Sequence, residues 1–590
     1  MPPAVVVGDR ATLTDPVWDH ADATPDAVLF SRAGPGGGQE ITAARFRDEV
    51  AALAGGFVAA GLRPGDRVAL LSRTRYEWSL TDYALLACGA VTVPVYPTAS
   101  AEQVAWTLLD SGAVGCVAET GDNAALAAAG FARAGRDAPV WEIDGGGLDR
   151  LVSRRADPDE VARRRDVGAD AVATIIYTSG TTGPPKGCVL THRNLLTDTG
   201  NAVAHLPHLF RSPGASTLLF LPLAHAFARL VQFGCVATRT RLRHLADTGD
   251  LAAELARFRP TFVLAIPRVF EKMVEGARDQ AGGGVRGGVF RRAESAAVRY
   301  SRALDAPQGP GAALRVEHRL FDRLVYHRLR ERLGGRCAHA VSGGAPLAED
   351  LTHFFRGAGV TVYQGYGLTE TSPAVAANTE GAIRIGTVGR PLPGVSIRTG
   401  EDGEILVRGD VVFRGYWRDP AATAEVVDAD GWFHTGDLGR LDRDGYLTVT
   451  GRTKHLIVTS SGKNVSPGLL EDRLCAHPLV SHSMVVGDGR PFVAALVTLD
   501  QPRLSGWLAA RGRPAAPVSE LRDDPDLLAE LDRALAHANE AVSRAEAVRA
   551  VRILPRDFSE EREELTPTMK VRRGVVEKEY ADEIDAIYRR

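Results

Sequence analysis

Between Tyr177 and Gly187 the chain reads Tyr-Thr-Ser-Gly-Thr-Thr-Gly-Pro-Pro-Lys-Gly, which packs three glycines, four Ser/Thr hydroxyls and one lysine into eleven residues. The preceding residues 171–176 are apolar and β-prone, so this run occupies a loop that leaves a buried strand. Glycines let the backbone approach a ligand closely, and exposed N–H groups, hydroxyls and one ammonium suit a polyphosphate. The spacing is not that of a Walker A loop, because Gly187 rather than Ser or Thr follows the lysine.

The flanking pattern places that loop in an α/β fold. Residues 41–61 carry helical periodicity, residues 67–71 and 90–95 read as buried strands, and residues 78–88 read as a helix between them. The runs at 217–221 and 261–266 continue the theme. Strands alternating with helices predict parallel, helix-covered sheets. From residue 387 the texture changes to short strands and turns. Asp402-Gly403, Asp430-Gly431 and Asp444-Gly445 each read as a hairpin turn. A polar, Gly-containing crossing near residues 452–463 leads into a smaller α+β segment. There a helix is expected at 467–476, strands at 483–486 and 492–499, helices through 528–549, and then a charged tail. The expected organisation is a large N-terminal domain over 1–453 with a β-rich subdomain at about 387–450, and a small mobile C-terminal domain over 454–590. Residues 276–332, glycine-punctuated and arginine-rich, read as a surface insertion. Its basic excess reads as solvated helix faces, with contact to an anionic membrane or a CoA-type phosphate as the other reading.

Composition narrows the function classes. A formal net charge of −3 supplies no global field for nucleic acid. Residues 1–15 lack a basic segment followed by an apolar core, and no stretch approaches the roughly 20 apolar residues of a membrane span. A cytoplasmic protein is expected, with peripheral contact at the inner face of the membrane left open. The six cysteines form no CxxC pair, so buried thiols are expected rather than a disulfide framework or a zinc site.

Five further segments carry chemistry. Ser342-Gly343-Gly344-Ala345-Pro346 is a small-residue turn against which a flat ring can lie. Tyr363-Gln364-Gly365-Tyr366-Gly367-Leu368-Thr369-Glu370-Thr371 offers an aromatic face and one carboxylate for a metal. Gly431-Trp432-Phe433-His434-Thr435-Gly436-Asp437 places an aspartate in a loop, where it can accept two ribose hydroxyls. Gly451-Arg452-Thr453-Lys454 supplies cations, and Leu565-Thr566-Pro567-Thr568-Met569-Lys570 presents a lysine in the tail.

In this order and spacing the segments closely resemble the adenylate-forming superfamily of acyl-CoA synthetases, adenylation domains and beetle luciferases. The resemblance runs from about residue 55 to the C-terminus. Leu221-Pro222-Leu223-Ala224-His225, Pro267-Arg268-Val269-Phe270-Glu271-Lys272, Ser460-Ser461-Gly462-Lys463-Asn464 and Thr566-Pro567-Thr568-Met569-Lys570 look like the long-chain fatty-acyl-CoA synthetase branch. The Thr-Met-Lys at the tail lysine departs from the more widespread Ser-Gly-Lys.

The resemblance implies a reaction and a division of labour. ATP, Mg²⁺ and CoA would serve a ligase that makes an acyl-adenylate and then a thioester. Thr178, Ser179, Gly180, Thr181, Thr182, Gly183 and Lys186 would hold the β- and γ-phosphates. Glu370 would ligate Mg²⁺, with Thr369 near the α-phosphate. Gly343, Gly344, Ala345 and Tyr366 would line the adenine site, Gly365 and Gly367 would belong to the same ATP/AMP site, Asp437 would bind ribose, and Arg452 would reach ribose or phosphate. Lys570 would bridge the α-phosphate and the incoming carboxylate. Lys454 stands at the hinge position. His225, Gly462, Lys463 and Asn464 fall at the acyl and CoA site. The alternatives are a fatty acyl-AMP ligase that loads a carrier protein, and a non-catalytic adenylate-binding protein.

Overall fold

A computed structural model of the chain describes every residue except 33–37, 155, 179–183, 283, 461–462, 545, 567–568 and 590. Two large sheets form its body. One has seven strands, in the order Gly415–Tyr416, Lys186–Thr191, Val172–Thr178, Val91–Val95, Arg67–Leu71, Gly115–Ala118, Val140–Glu142. The other has nine, running from Arg390–Pro391 through Ala374–Ala377, Thr361–Gly367, His339–Ser342, Phe262–Ala265, Ser216–Leu219, Arg241–His244 and Val28–Arg32 to Gln39–Thr42. The central pairs of both sheets are parallel. The edges depart from that expectation: Val172–Thr178 and Lys186–Thr191 form an antiparallel pair, as do Thr361–Gly367 with Ala374–Ala377 and Val28–Arg32 with Gln39–Thr42. Antiparallel partners can be joined by a short turn, so they cluster where the chain doubles back rather than crossing over a helix.

The helices Tyr76–Ala87 and Ala226–Thr238 are buried on nearly every face and bridge the two sheets. Their contact is polar at its centre. Arg229, 1% exposed, donates to both oxygens of Asp82 at 2.7 and 2.9 Å and to Thr174 Oγ1 at 2.6 Å. A buried guanidinium with a bidentate acid and a hydroxyl is tolerated because its charge and most of its donors are matched.

A four-stranded antiparallel sheet follows, in the order Ser396–Thr399, Glu404–Arg408, Phe433–Leu441, Leu447–Arg452. The turns at Asp402-Gly403 and Asp444-Gly445 join strand pairs as expected. Asp430-Gly431 does not: it follows the helix Pro420–Val426 and closes only a single bridge, Val427 to Phe433. The Asp428 carboxylate accepts from the N–H groups of Asp430 and Trp432, as Asp442 does from Asp444 and Tyr446, so the two turns are alike and differ in what precedes them, a helix at the first and a strand at the second. The helix His192–His205 clamps this region to the body. It is started by a reciprocal cap between Thr191 and Asn194, and Asn194 Nδ2 also donates to the carbonyls of Asp410 and Val412.

Beyond residue 452 a second hydrophobic core gathers Ile457, Leu470, Val485, Val497, Leu504, Leu527 and Ile553 around the sheet Val480–Val486, Ala494–Leu499, Val551–Ile553. Three expectations need correction. Helix continues only to Asn539, not 549, because Asn539 caps back onto the N–H and C=O of Val548. The charged tail is two helices, Arg573–Glu579 and Ala581–Tyr588, which bury Val576 and Tyr580 against a third cluster. Finally, the segment 276–332 is only partly a surface feature. Its helix Gly284–Leu304 buries Phe290, Ala293, Ala296 and Ala297 in the main core.

Candidate active site

The glycine-rich loop spans a hairpin whose register pairs Thr178 with Lys186. Ser179, Gly180, Thr181, Thr182 and Gly183 lie outside the described residues. The flanks are tied down: Trp106 Nε1 donates to the Pro185 carbonyl at 3.0 Å, Trp417 N donates to the Gly187 carbonyl at 2.7 Å, and Trp417 Nε1 donates to the Asp110 carbonyl at 3.0 Å. Lys186 is about half exposed, 4.0 Å from Asp419 and over the Tyr416 ring at 5.1 Å. Its ammonium is therefore only loosely held and free to meet an anion. Thr178 Oγ1 reaches toward the Lys186 carbonyl at 3.5 Å.

Tyr416 links this hairpin to the metal candidate. It pairs in register with Cys188, and its hydroxyl donates to Glu370 Oε1 at 3.0 Å. Glu370 and Thr369 sit in a short 3₁₀ turn directly after the strand Thr361–Gly367. Burial raises the Glu370 pKa, against the pull of its hydrogen bonds. A carboxylate that protein surrounds, with a neutral phenol as its side-chain donor, fits a site completed by a cation. One carboxylate plus phosphate oxygens is the usual donor set for magnesium. Cys188 lies beside Glu370. Burial first, and then the carboxylate, hold its thiol well above the usual range, so it stays an inert S–H.

Asp437, expected in a loop, is in fact inside the strand Phe433–Leu441 and directly opposite Arg452 on Leu447–Arg452. Arg452 Nε lies 2.6 Å from Asp437 Oδ1, and the Tyr366 hydroxyl donates to Oδ2 at 2.7 Å. Strand pairing thus fixes the acid more firmly than a loop could. Tyr366, held by that hydrogen bond, stands one strand away from the turn at Gly343, Gly344 and Ala345. Gly344 has φ +83° and is exposed together with Ala345, while Gly343 abuts the Phe227 ring. At Gly367 a Cβ would fall 1.6 Å from the Pro373 carbonyl oxygen, so only glycine lets the strand turn back there. Gly365 faces the Ala376 carbonyl.

Lys570 arrives from the C-terminal core, where Leu565 bridges Val571 and the Lys570 N–H donates to Thr566 Oγ1 at 3.0 Å. Its side chain keeps an exposed surface, yet the protein crowding it lowers the ammonium pKa. The Arg452 guanidinium lowers it further and Asp437 opposes the shift. The charge of the same ammonium is also felt at His225. That imidazole caps the helix Ala226–Thr238 by accepting from Phe227 N at 3.1 Å through Nδ1. Burial, and then Lys570, push its pKa down to about 4. His225 is therefore neutral, with Nδ1 occupied as an acceptor and Nε2 left to carry the proton. His455 is likewise depressed to about 4, by burial and then by Arg573, Arg452, Lys454 and Lys570. Of these cations Arg573 is paired with Glu471 and Arg452 with Asp437, which leaves Lys454 and Lys570 as the ammonium groups in this neighbourhood that an anionic ligand could engage.

Lys454 is exposed in the short turn Thr453–His455 that joins the two cores. Lys463 and Asn464 are not brought to the cluster by the contacts they make. Lys463 pairs with Glu546 at 3.4 Å, and Asn464 lies in the ribbon with Val458; Gly462 lies outside the described residues. Contacts between the cores include ion pairs and hydrogen bonds, among them Ser466 Oγ donating to the Thr450 carbonyl at 2.8 Å. Arg503 pairs with Glu275, Arg268 lies 4.0 Å from Asp500, and the Glu560 carboxylate hydrogen-bonds Thr98. Tyr416, Trp106 and Trp417 escape sequence reasoning. Each acts through a partner far away in the chain and belongs to no local motif.

A family model described as AMP-binding enzyme matches residues 17–417, and one described as AMP-binding enzyme C-terminal domain matches 454–590. A Mycobacterium bovis protein named long-chain-fatty-acid–CoA ligase FadD15 is 48% identical over 597 residues, covering 100% of this chain and 99% of its own. The Arabidopsis thaliana peroxisomal long chain acyl-CoA synthetase 7 is 30% identical, covering 91% of this chain and 80% of its own. Among solved structures, ATP-bound MatB from Rhodopseudomonas palustris superposes with a TM-score of 0.72 at 25% identity, over 97% of this chain and 99% of that one.

Proposed function

This chain belongs to the AMP-binding enzyme family, and from that premise we propose that it is a long-chain fatty-acid–CoA ligase, joining a fatty acid to CoA while splitting ATP into AMP and pyrophosphate. The observation that carries the reaction type is the cluster of Asp437 with Arg452 and Tyr366 beside the junction of the two cores, where the Lys570 ammonium feels the charges of Arg452 and Asp437. The end-to-end likeness to proteins named for long-chain acids supports the substrate class.

A carboxylate is a poor electrophile, since its charge must be masked and one oxygen made a leaving group. Attack on the α-phosphate of ATP does both and releases pyrophosphate. The step needs positioning and charge neutralisation more than covalent catalysis. Asp437, fixed by Tyr366 and Arg452, would take the ribose hydroxyls. The turn Gly343–Gly344–Ala345 and the strand through Gly365, Tyr366 and Gly367 would hold the adenine. Residues 178–183 and Lys186 would hold the outgoing phosphates, with Thr369 near the α-phosphate. Glu370 would hold Mg²⁺, which when bound supplies further positive charge to the phosphates. Lys570 would lie between the two anions that must meet, the α-phosphate and the fatty carboxylate. The acyl chain would run beside His225 and the buried helix Ala226–Thr238.

In the second half-reaction the CoA thiol attacks the adenylate carbonyl and AMP leaves. For that step residues 454–590 would turn about Lys454. The turn would withdraw Lys570 and bring Gly462, Lys463 and Asn464 to the thiol's path. The ionic contacts between the cores suit such a swing, because they part at lower cost than an apolar interface. The enzyme would work in the cytoplasm.

Pyrophosphate release measured across saturated acids from C6 to C20, with and without CoA, tests this reading. The expected result is a preference for long chains, with a thioester product that requires CoA. Adenylate accumulating with no thioester in the presence of free CoA would favour loading of a carrier protein instead.

A further inference from the structure

The segment 312–332 forms one continuous helical rod. It comprises the helix Ala312–Phe321, a wide turn Asp322–Tyr326 of π geometry, and the helix His327–Arg332. Its inner side is firmly seated: Phe321, Tyr326, Leu329 and Leu333 are buried, the Tyr326 hydroxyl donates to the Ala293 carbonyl at 2.6 Å, and His318 stacks on Tyr300 at 3.8 Å. The outer side is unusual. Val316, Leu320 and Leu324 are 67, 55 and 48% exposed, and each follows an exposed arginine: Arg315, Arg319 and Arg323. The exposed pair His327 and Arg328 extends the same rhythm. Residues four apart drift by about 40° around an α-helix. The wider π turn counters that drift, so the pairs stay on one face. The nearby acids face other partners, Glu317 toward Arg299 and Asp322 toward Arg330.

We propose that this face is a membrane-docking surface that lies on an anionic lipid bilayer, with Val316, Leu320 and Leu324 entering the acyl boundary and Arg315, Arg319, Arg323 and Arg328 meeting lipid phosphates. Interleaved apolar and basic residues on an exposed helix match the chemistry of that interface, where long arginine side chains lie along apolar surface and reach phosphate. The charge complements the negative surface of a cytoplasmic leaflet. A protein partner is disfavoured by the chemistry of the site. The apolar residues lie along a single helical rod, each next to an arginine, and the two acids among them are paired with Arg299 and Arg330. The segment's buried half gives it a structural reason to be helical but gives none for three large aliphatic side chains in water.

Flotation of the full chain with vesicles tests the proposal without ATP or fatty acid, so its outcome is independent of the ligase reading. The chain is expected to float with vesicles of mixed phosphatidylglycerol and phosphatidylcholine, much less with phosphatidylcholine alone, and less at high salt. The pair Arg319→Glu with Arg323→Glu should weaken binding by roughly tenfold or more. The pair Leu320→Ser with Leu324→Ser should abolish retention at high salt. All four positions are exposed, and an unchanged thermal unfolding curve would show that the fold is kept. A wild-type chain that stays in the soluble fraction would overturn the proposal, even if the same face captured an acidic protein. Variants that float like the wild type would overturn it equally.

Discussion

Lys570 has an ordinary lysine's freedom on one side and a crowded, positively charged neighbourhood on the other. Crowding and Arg452 lower its pKa from the usual 10.5, and Asp437 restores only part of the shift. The working form is the ammonium, so raising the pH through the lowered value removes the charge that adenylation needs. The adenylation rate should therefore fall on an alkaline limb below pH 10.5, and Lys570→Arg, which keeps its charge, should remove that limb. Lys570→Ala should slow adenylate formation by about 10²–10³-fold, the scale of one lost electrostatic contact in a transition state. It should leave thioester formation from pre-made adenylate near normal. Equal loss in both half-reactions would sink the step-specific role. The residues of this cluster are largely legible in the sequence, because Glu370, Asp437, Arg452 and Lys570 each lie in a recognisable run. Their mutual contacts are not. Nothing local in the sequence says that the Tyr366 hydroxyl holds Asp437, or that Tyr416 holds Glu370.

Elements differ in how openly they declare themselves. The strands Arg67–Leu71 and Val91–Val95 are short apolar runs buried on both faces, so hydrophobicity alone marks them. The terminal helices Arg573–Glu579 and Ala581–Tyr588 are short and interleave charged with apolar residues, and a few side chains such as Val576 and, between them, Tyr580 anchor them, so their composition hides them. Glycines sort in the same way, by what surrounds them. Gly367→Ala would drive a methyl into the Pro373 carbonyl. It should destabilise the N-terminal body by about 3 kcal/mol, with matching loss of activity, since Thr369 and Glu370 follow directly. Gly276→Ala meets open space inside the helix Pro267–Ala281 and should stabilise by up to about 1 kcal/mol. Chemical denaturation of the two variants checks both signs, and similar shifts for the two would contradict the packing argument.

On the scale of the whole molecule, the arrangement seen brings the Lys570 ammonium under the influence of Arg452 and Asp437, and charged pairs cross between the cores. Arg503 with Glu275 and Arg268 with Asp500 join residues 267–281 to residues 500–509. Arg503→Ala should loosen that arrangement, lowering the adenylation rate several-fold while leaving thioester formation from adenylate unchanged or faster. The charge swap Arg503→Glu with Glu275→Arg should recover part of the loss. A purely structural role would slow both steps together and give no recovery. The central claim, that a fatty carboxylate attacks the α-phosphate, is tested most directly by isotope transfer. With a long-chain acid carrying ¹⁸O in its carboxylate, plus ATP and CoA, one labelled oxygen should appear in each AMP formed. Unlabelled AMP, or label in pyrophosphate or orthophosphate, would contradict the account.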